Sequence, residues 1–166
     1  MKTRALIRPA ALAHNLQIVR SLAPGLPVLA MVKADAYGHG ATALLPTLQQ
    51  RTDALGVARL AEAAALRAAG YGGRLLLLCG VSDNSELDAA LTMQLDILVH
   101  DGGQLGLLAG RNAARNPPTH FWLKLDSGMH RLGFVPADYA AAVAALRALP
   151  WCASVTGMTH FASADE

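Results

Sequence analysis

The sequence predicts an α/β protein of the (β/α)8, TIM-barrel kind, truncated after about its sixth barrel strand. Three observations lead there. Apolar strand-like runs alternate with helix-forming segments along the whole 166 residues, no glycine-rich dinucleotide fingerprint is present, and Lys33 stands at the end of the first run, where barrel enzymes carry their chemistry. Spacing alone leaves a doubly wound parallel sheet open.

The elements follow in order. Pro9 to Leu22 reads as a helix that starts on proline, which the first turn tolerates because its missing N–H would have no intrahelical partner. Six strands are expected at Pro27 to Lys33, Ala54 to Ala58, Arg74 to Leu78, Asp96 to His100, His120 to Asp126 and Ser154 to His160. Between them, Thr42 to Gln50, Leu60 to Ala69, Asn84 to Met93, Gly103 to Ala114 and Pro136 to Leu149 have the composition and length of crossover helices. The chain stops at Ala162-Ser163-Ala164-Asp165-Glu166, directly after the sixth run, which reads as a cut that would leave sheet edges open.

Alternation supports a polar barrel interior. In the fifth run Phe121, Leu123 and Leu125 would face the helices, leaving Trp122, Lys124 and Asp126 toward the lumen. By the same rule Val28, Ala30 and Val32 face outward in the first run, and Leu29, Met31 and Lys33 inward.

Composition narrows the function. An apolar content of 53% is ample for a core, and no apolar stretch reaches the ~18 to 20 residues that cross a bilayer. Met1 to Arg8 lacks the apolar segment and cleavage site of a signal peptide, so a cytoplasmic location is expected. The formal charge of +2 comes from dispersed arginines, which gives nucleic-acid binding no support. Cys79 and Cys152, far apart, are expected to be reduced and buried. His14, His100, His120 and His130 show no metal-ligand spacing, and no metal site is expected.

The chemistry centres on Val32-Lys33-Ala34-Asp35-Ala36-Tyr37-Gly38-His39-Gly40, an apolar strand end followed by a polar loop punctuated by glycine. Lysines are scarce against arginines here, and a primary amine does what a guanidinium does not: it deprotonates and forms a Schiff base. Gly38 and Gly40 are expected to permit close backbone approach in the loop, while His39 has no expected role. A lysine at position 124 that faces the lumen carries its charge into a partly dehydrated site, which is unfavourable unless it is paired, as by Asp126.

The nonamer closely resembles the pyridoxal-phosphate lysine motif of bacterial alanine racemases. Two further runs resemble that family, Lys124-Leu125-Asp126-Ser127-Gly128-Met129-His130-Arg131-Leu132-Gly133-Phe134 and Thr159-His160-Phe161-Ala162-Ser163-Ala164-Asp165-Glu166, as do Gly56-Val57-Ala58 and the helix after them. The resemblance spans the chain but only about the amino-terminal half of the family's length. It implies an enzyme that interconverts L- and D-alanine by two-base proton transfer, supplying D-alanine for the cell wall.

By that resemblance Lys33 holds the pyridoxal phosphate cofactor as an internal aldimine and then acts as the base on one face of the amino-acid substrate. Tyr37 matches a tyrosine that bonds the cofactor phosphate, Arg131 an arginine that reaches the phenolic oxygen and the substrate carboxylate, and His160 a histidine stacked on the cofactor ring. Lys124 matches a position carbamylated in some members, where the anion orients Arg131. The resemblance also implies a homodimer formed through a carboxy-terminal β-domain, with residues 1–8 a strand that pairs with it. The second base, most of the phosphate loops and an arginine to the pyridine nitrogen have no match here, so residues 1–166 alone are expected to be nearly inactive. Other readings are a serine or broad-specificity racemase, an amino-acid decarboxylase of the same barrel class, and an inactive cofactor-binding fragment.

Overall fold

A computed structural model of the chain describes residues 5–111 and 116–164, which form two compact units, residues 1–75 and 76–166. The expected strand over residues 1–8 lies half outside the described residues, and Ala5 to Arg8 carry no regular structure. The end of the helix expected to reach Ala114 also lies outside them.

The first unit runs α1 (Pro9–Leu22), β1 (Leu29–Met31), the one-turn α2 (Lys33–Gly38), α3 (Ala41–Arg51), β2 (Ala54–Val57) and α4 (Leu60–Ala68). β1 lies parallel to β2, with Leu29 opposite Ala54 and Met31 opposite Gly56. Every residue of β2 is buried, and Leu44, Leu45 and Leu48 of α3 with Ala63 and Leu66 of α4 complete the core. Full burial contributes roughly 1.5–3 kcal/mol for each leucine, so these side chains decide the fold of the unit. Asp53 accepts from the Val28 N–H at 2.6 Å and from Arg20 of α1 at 2.9 Å. Those bonds, the backbone one first, hold its carboxyl below the ordinary aspartate range.

β3 (Arg74–Leu77) crosses into the second unit, which continues with α5 (Asn84–Thr92), β4 (Asp96–Val99), α6 (Gly102–Ala109), β5 (Thr119–Lys124), α7 (Pro136–Arg147) and β6 (Cys152–Met158). Each strand there is parallel to the next: Leu76 pairs with Asp96, Ile97 with Phe121, and Lys124 with Met158. Asp83 and Asp101 cap α5 and α6 through their carboxylates, which accept the N–H groups of Glu86 and Gln104 at 2.8 and 3.0 Å.

Register divides this sheet into two unlike faces. Ile97, Val99, Phe121 and Leu123 share the apolar face, where Trp151 meets Phe121 edge-on at 5.2 Å and the Tyr139 hydroxyl of α7 donates to the Leu123 carbonyl. Asp96, Trp122 and Lys124 share the other, where Trp122 Nε1 donates to Asp96 at 2.8 Å and His120 bonds Ser154 at 2.7 Å. The alternation expected from the fifth run is therefore present from Phe121 to Lys124, while Leu125 and Asp126, also counted in it, lie beyond the strand.

Three expectations need correction. β1 ends at Met31 rather than Lys33, because the backbone turns at Val32 into α2. The strands expected at His120 to Asp126 and Ser154 to His160 begin and end earlier, because Asp126 and Thr159 turn their side chains to loop bonds. Cys79 is exposed rather than buried; Cys152 is half-buried, and burial pushes its thiol up from the ordinary value. Both are free thiols. Among the described residues no helix is long and apolar enough to cross a membrane.

Candidate active site

Lys33 opens an unusual backbone segment. Ala34, Asp35, Ala36 and Tyr37 all adopt left-handed helical angles, with φ from 51° to 55°, so α2 is a left-handed turn where the sequence suggested an open loop. An L-residue in this conformation costs roughly 1–2 kcal/mol, so four in succession cost on the order of 4–8 kcal/mol. Something must hold them.

Two carboxylates do. Glu62, in the first turn of α4, accepts the Ala34 N–H on Oε1 at 2.8 Å, and on Oε2 the N–H groups of Ala58 and Arg59 at 2.7 and 3.2 Å. Asp35 Oδ1 accepts the Ala41 N–H at 2.7 Å, which joins the turn to the start of α3. Hydrogen bonds to charged groups contribute roughly 1.5–3 kcal/mol each, so the two that grip the turn are of the same order as its strain. His39, given no role from sequence, bonds the Ala36 carbonyl through Nδ1 at 2.9 Å, and the Ala36 N–H reaches the Val32 carbonyl at 2.8 Å. Gly38 and Gly40 take positive φ of 81° and 85°, which glycine adopts without strain; an added Cβ would meet no protein atom at Gly38 and make ordinary contact at Gly40.

The turn brings two candidate residues together. Lys33 Nζ lies 5.8 Å from the centre of the Tyr37 ring, a cation–π distance, with the tyrosine exposed and the lysine half-buried. Beneath the turn is an apolar cavity of about 290 Å³ lined by Val32, Asp35, Ala41, Val57, Glu62 and Leu66 among others.

The other candidates gather in the second unit around the loop that follows β5. Lys124 ends that strand and is only 6% exposed. Its carbonyl accepts the Phe134 N–H at 2.8 Å, and the Phe134 carbonyl accepts the Asp126 N–H at 2.9 Å, so the loop from Asp126 to Gly133 is closed at its neck. Gly133 makes that closure possible: at φ 123° a Cβ would sit 2.7 Å from the Asp126 nitrogen.

Inside the loop, Asp126 is committed to its own neighbours. Its Oδ1 accepts the N–H groups of Gly128 and His130, both at 3.0 Å, and its Oδ2 faces His130 Nδ1 at 3.1 Å. The backbone donors, His130 first and Gly128 second, outweigh desolvation and hold the carboxyl at about 2. Asp126 thus serves the loop instead of pairing with Lys124. Arg131, exposed, follows directly on this anchored segment. His160 joins the same neighbourhood, since Ser127 Oγ reaches its carbonyl at 3.4 Å and the Thr159 hydroxyl at 2.6 Å.

The candidates therefore fall into two sets, Lys33 with Tyr37 in the first unit and Lys124, Arg131 and His160 in the second. Glu62 is the residue that sequence reasoning passed over. Its signal was an acid in the first turn of a helix, a position that binds the helix's own N–H groups. Among the described residues no cluster of three His, Cys, Asp or Glu side chains could hold a metal ion.

Comparison with known proteins supplies the context. The family profile described as "Alanine racemase, N-terminal domain" matches residues 7–166. An alanine racemase of Nitrosococcus oceani is 49% identical over 164 residues, which cover 98% of this chain and 45% of the relative. A catabolic alanine racemase of Pseudomonas aeruginosa is 43% identical over 163 residues, with the same coverage. Among solved structures, the biosynthetic alanine racemase of P. aeruginosa superposes with a TM-score of 0.85 at 41% identity, covering 94% of this chain and 43% of that one. The alanine racemase of E. faecalis gives 0.86 at 30%, covering 96% and 44%. The α/β barrel class expected from sequence is the fold these proteins share with the chain, and the chain spans about half the length of the curated relatives it matches.

Proposed function

The chain belongs to the alanine racemase family, by that family's amino-terminal domain, and from this premise we propose that it is the cofactor-binding barrel portion of a pyridoxal-phosphate-dependent racemase that interconverts L- and D-alanine. The observation that carries the reading is Lys33 itself: a half-buried lysine two residues past β1, at the start of a strained turn that two carboxylates hold.

The residues present fit the cofactor chemically. An amine suits its aldehyde, and a phenol on the same turn, Tyr37, suits a phosphate oxygen. When bound, pyridoxal phosphate supplies an electron sink for the substrate α-carbon. Lys33 Nζ would hold the cofactor through its aldehyde and would move the α-proton on one face of the substrate. The planar donor fork of Arg131 serves an anionic oxygen, on the cofactor or on the substrate carboxylate, and the anchored loop behind it limits where that fork is presented. The His160 imidazole would supply a flat face for the cofactor ring. Lys124, buried on the polar face of its sheet, is the candidate for carbamylation, which would replace its cation with an anion of the charge needed to orient Arg131.

The family resemblance further supports a homodimer in the cytoplasm, and the racemase name of the relatives favours inversion over decarboxylation. The test is Lys33→Ala in the full-length protein. Removing the base should lower racemisation by about 10²- to 10⁴-fold or more. Undiminished inversion, or carbon dioxide release from the unaltered protein, would overturn the reading.

A further inference from the structure

Among the described residues, three helices carry, at the third position after the cap, a polar side chain that reaches back to its own N-terminus. In α5 the reach is local: Glu86 Oε2 accepts from the Ser82 N–H at 2.8 Å and the Ser82 hydroxyl at 2.7 Å. In α6, Gln104 accepts the His100 N–H at 2.9 Å and also donates to the Cys79 carbonyl, 25 residues away, at 3.1 Å. In α4, Glu62 caps Ala58 and Arg59 with one oxygen and grips Ala34, 28 residues away, with the other.

The Ala34 bond has a consequence that the others lack. Ala34 is the first left-handed residue and the immediate neighbour of Lys33, so its amide direction sets the peptide plane from which the lysine side chain departs. We propose that Glu62 is a positioning residue for Lys33, fixing the left-handed turn through the Ala34 amide and thereby the direction in which the amine leaves the end of β1. A carboxylate is suited to this and an amide is not. Glu62 receives N–H donors on both oxygens, whereas a glutamine would turn its own NH₂ toward one set of them. Arg59, standing at the cap, has no acceptor to return, so no side chain there duplicates the task.

The inference rests on the reading of Lys33 as the amine that takes the cofactor, and the experiment separates the two. Glu62→Gln and Glu86→Gln are made in the full-length protein. Both lose part of a helix cap, so a purely structural role would lower their melting temperatures alike and leave the amine untouched. In the cofactor-free protein, Glu62→Gln should speed amide hydrogen exchange at Ala34 to Tyr37 by about tenfold or more, the loss of one hydrogen bond to a carboxylate. It should also change the rate at which an acylating reagent modifies Lys33, and lower borohydride-trapped pyridoxal phosphate on Lys33, while Glu86→Gln changes none of these. Glu62→Asp, one methylene shorter, keeps a carboxylate for the helix N-terminus and should lose the Ala34 grip, giving the same result should the glutamine variant fail to fold. Unchanged exchange and unchanged Lys33 reactivity in both Glu62 variants would overturn the proposal. Cofactor trapped undiminished in Lys33→Ala would instead overturn the reading of Lys33, leaving the exchange data to decide the role of Glu62.

Discussion

The turn at Lys33 and the loop carrying Arg131 both follow a strand and both take their shape from carboxylates, yet they solve the problem in opposite ways. The turn places four non-glycine residues at positive φ and is restrained at a distance, by Glu62 from another helix. The loop has one non-glycine residue at positive φ, His130, beside Gly128 and Gly133 at φ 128° and 123°, and takes its main anchor from within, from Asp126 two and four residues away, with Ser127 also reaching Thr159. A loop anchored mainly by its own carboxylate takes much of its shape from its own sequence. A remotely clamped turn forms only once the unit around it has folded, so its strain persists only in the folded state, where it can aim a reactive group.

That contrast can be broken at Gly133. With backbone atoms within 3.0 Å of any added Cβ and φ far outside the range for an L-residue, Gly133→Ala should cost roughly 2–4 kcal/mol in chemical denaturation. A cost below about 1 kcal/mol would mean that the neck is soft.

The acid response of the two segments sharpens it further. Asp126 titrates at about 2 in the folded chain against an ordinary 3.8, so it binds a proton less readily folded than unfolded. Its contribution is complete above about pH 4 and is lost as pH falls through about 2. Amide shifts of Gly128 and His130 should follow that titration, and Asp126→Asn should abolish it. Persistence of the transition in the variant would assign it to another group.

The smallest effect is expected at Ala36. Glycine there relieves left-handed strain of roughly 1–2 kcal/mol and adds an entropic cost of about 0.5–1 kcal/mol, for a net gain of about 0–1.5 kcal/mol. Its sign, opposite to that of Gly133→Ala, is the informative part. A clear loss would show that the turn is not strained.

How far these features could be read in advance differs between the two loops for the same physical reason. Period-two alternation located β5, and Arg74 to Leu78 fell within one residue of the observed strand, because burial leaves a local mark on sequence. Helix α4 was found from its first residue, Leu60. The Asp126 loop announced itself by Ser127-Gly128 and Gly133, residues that suit turns. The left-handed turn did not, since Ala34, Asp35, Ala36 and Tyr37 include no glycine and their conformation is imposed by a partner 28 residues away. Lys33 was legible as an amine at a strand end; the means of holding it was not, because a glutamate in the first turn of a helix looks the same whether it caps one helix or reaches a second segment. The strand ends were overextended where Asp126 and Thr159 exchange the ladder for side-chain bonds.

The account turns on where an aldehyde is captured. Full-length protein incubated with pyridoxal phosphate, reduced with borohydride and cut into peptides should carry the pyridoxyl group on Lys33. A label found on Lys124 or Lys2 in its place, or none on the Lys33 peptide under saturating cofactor, would contradict it.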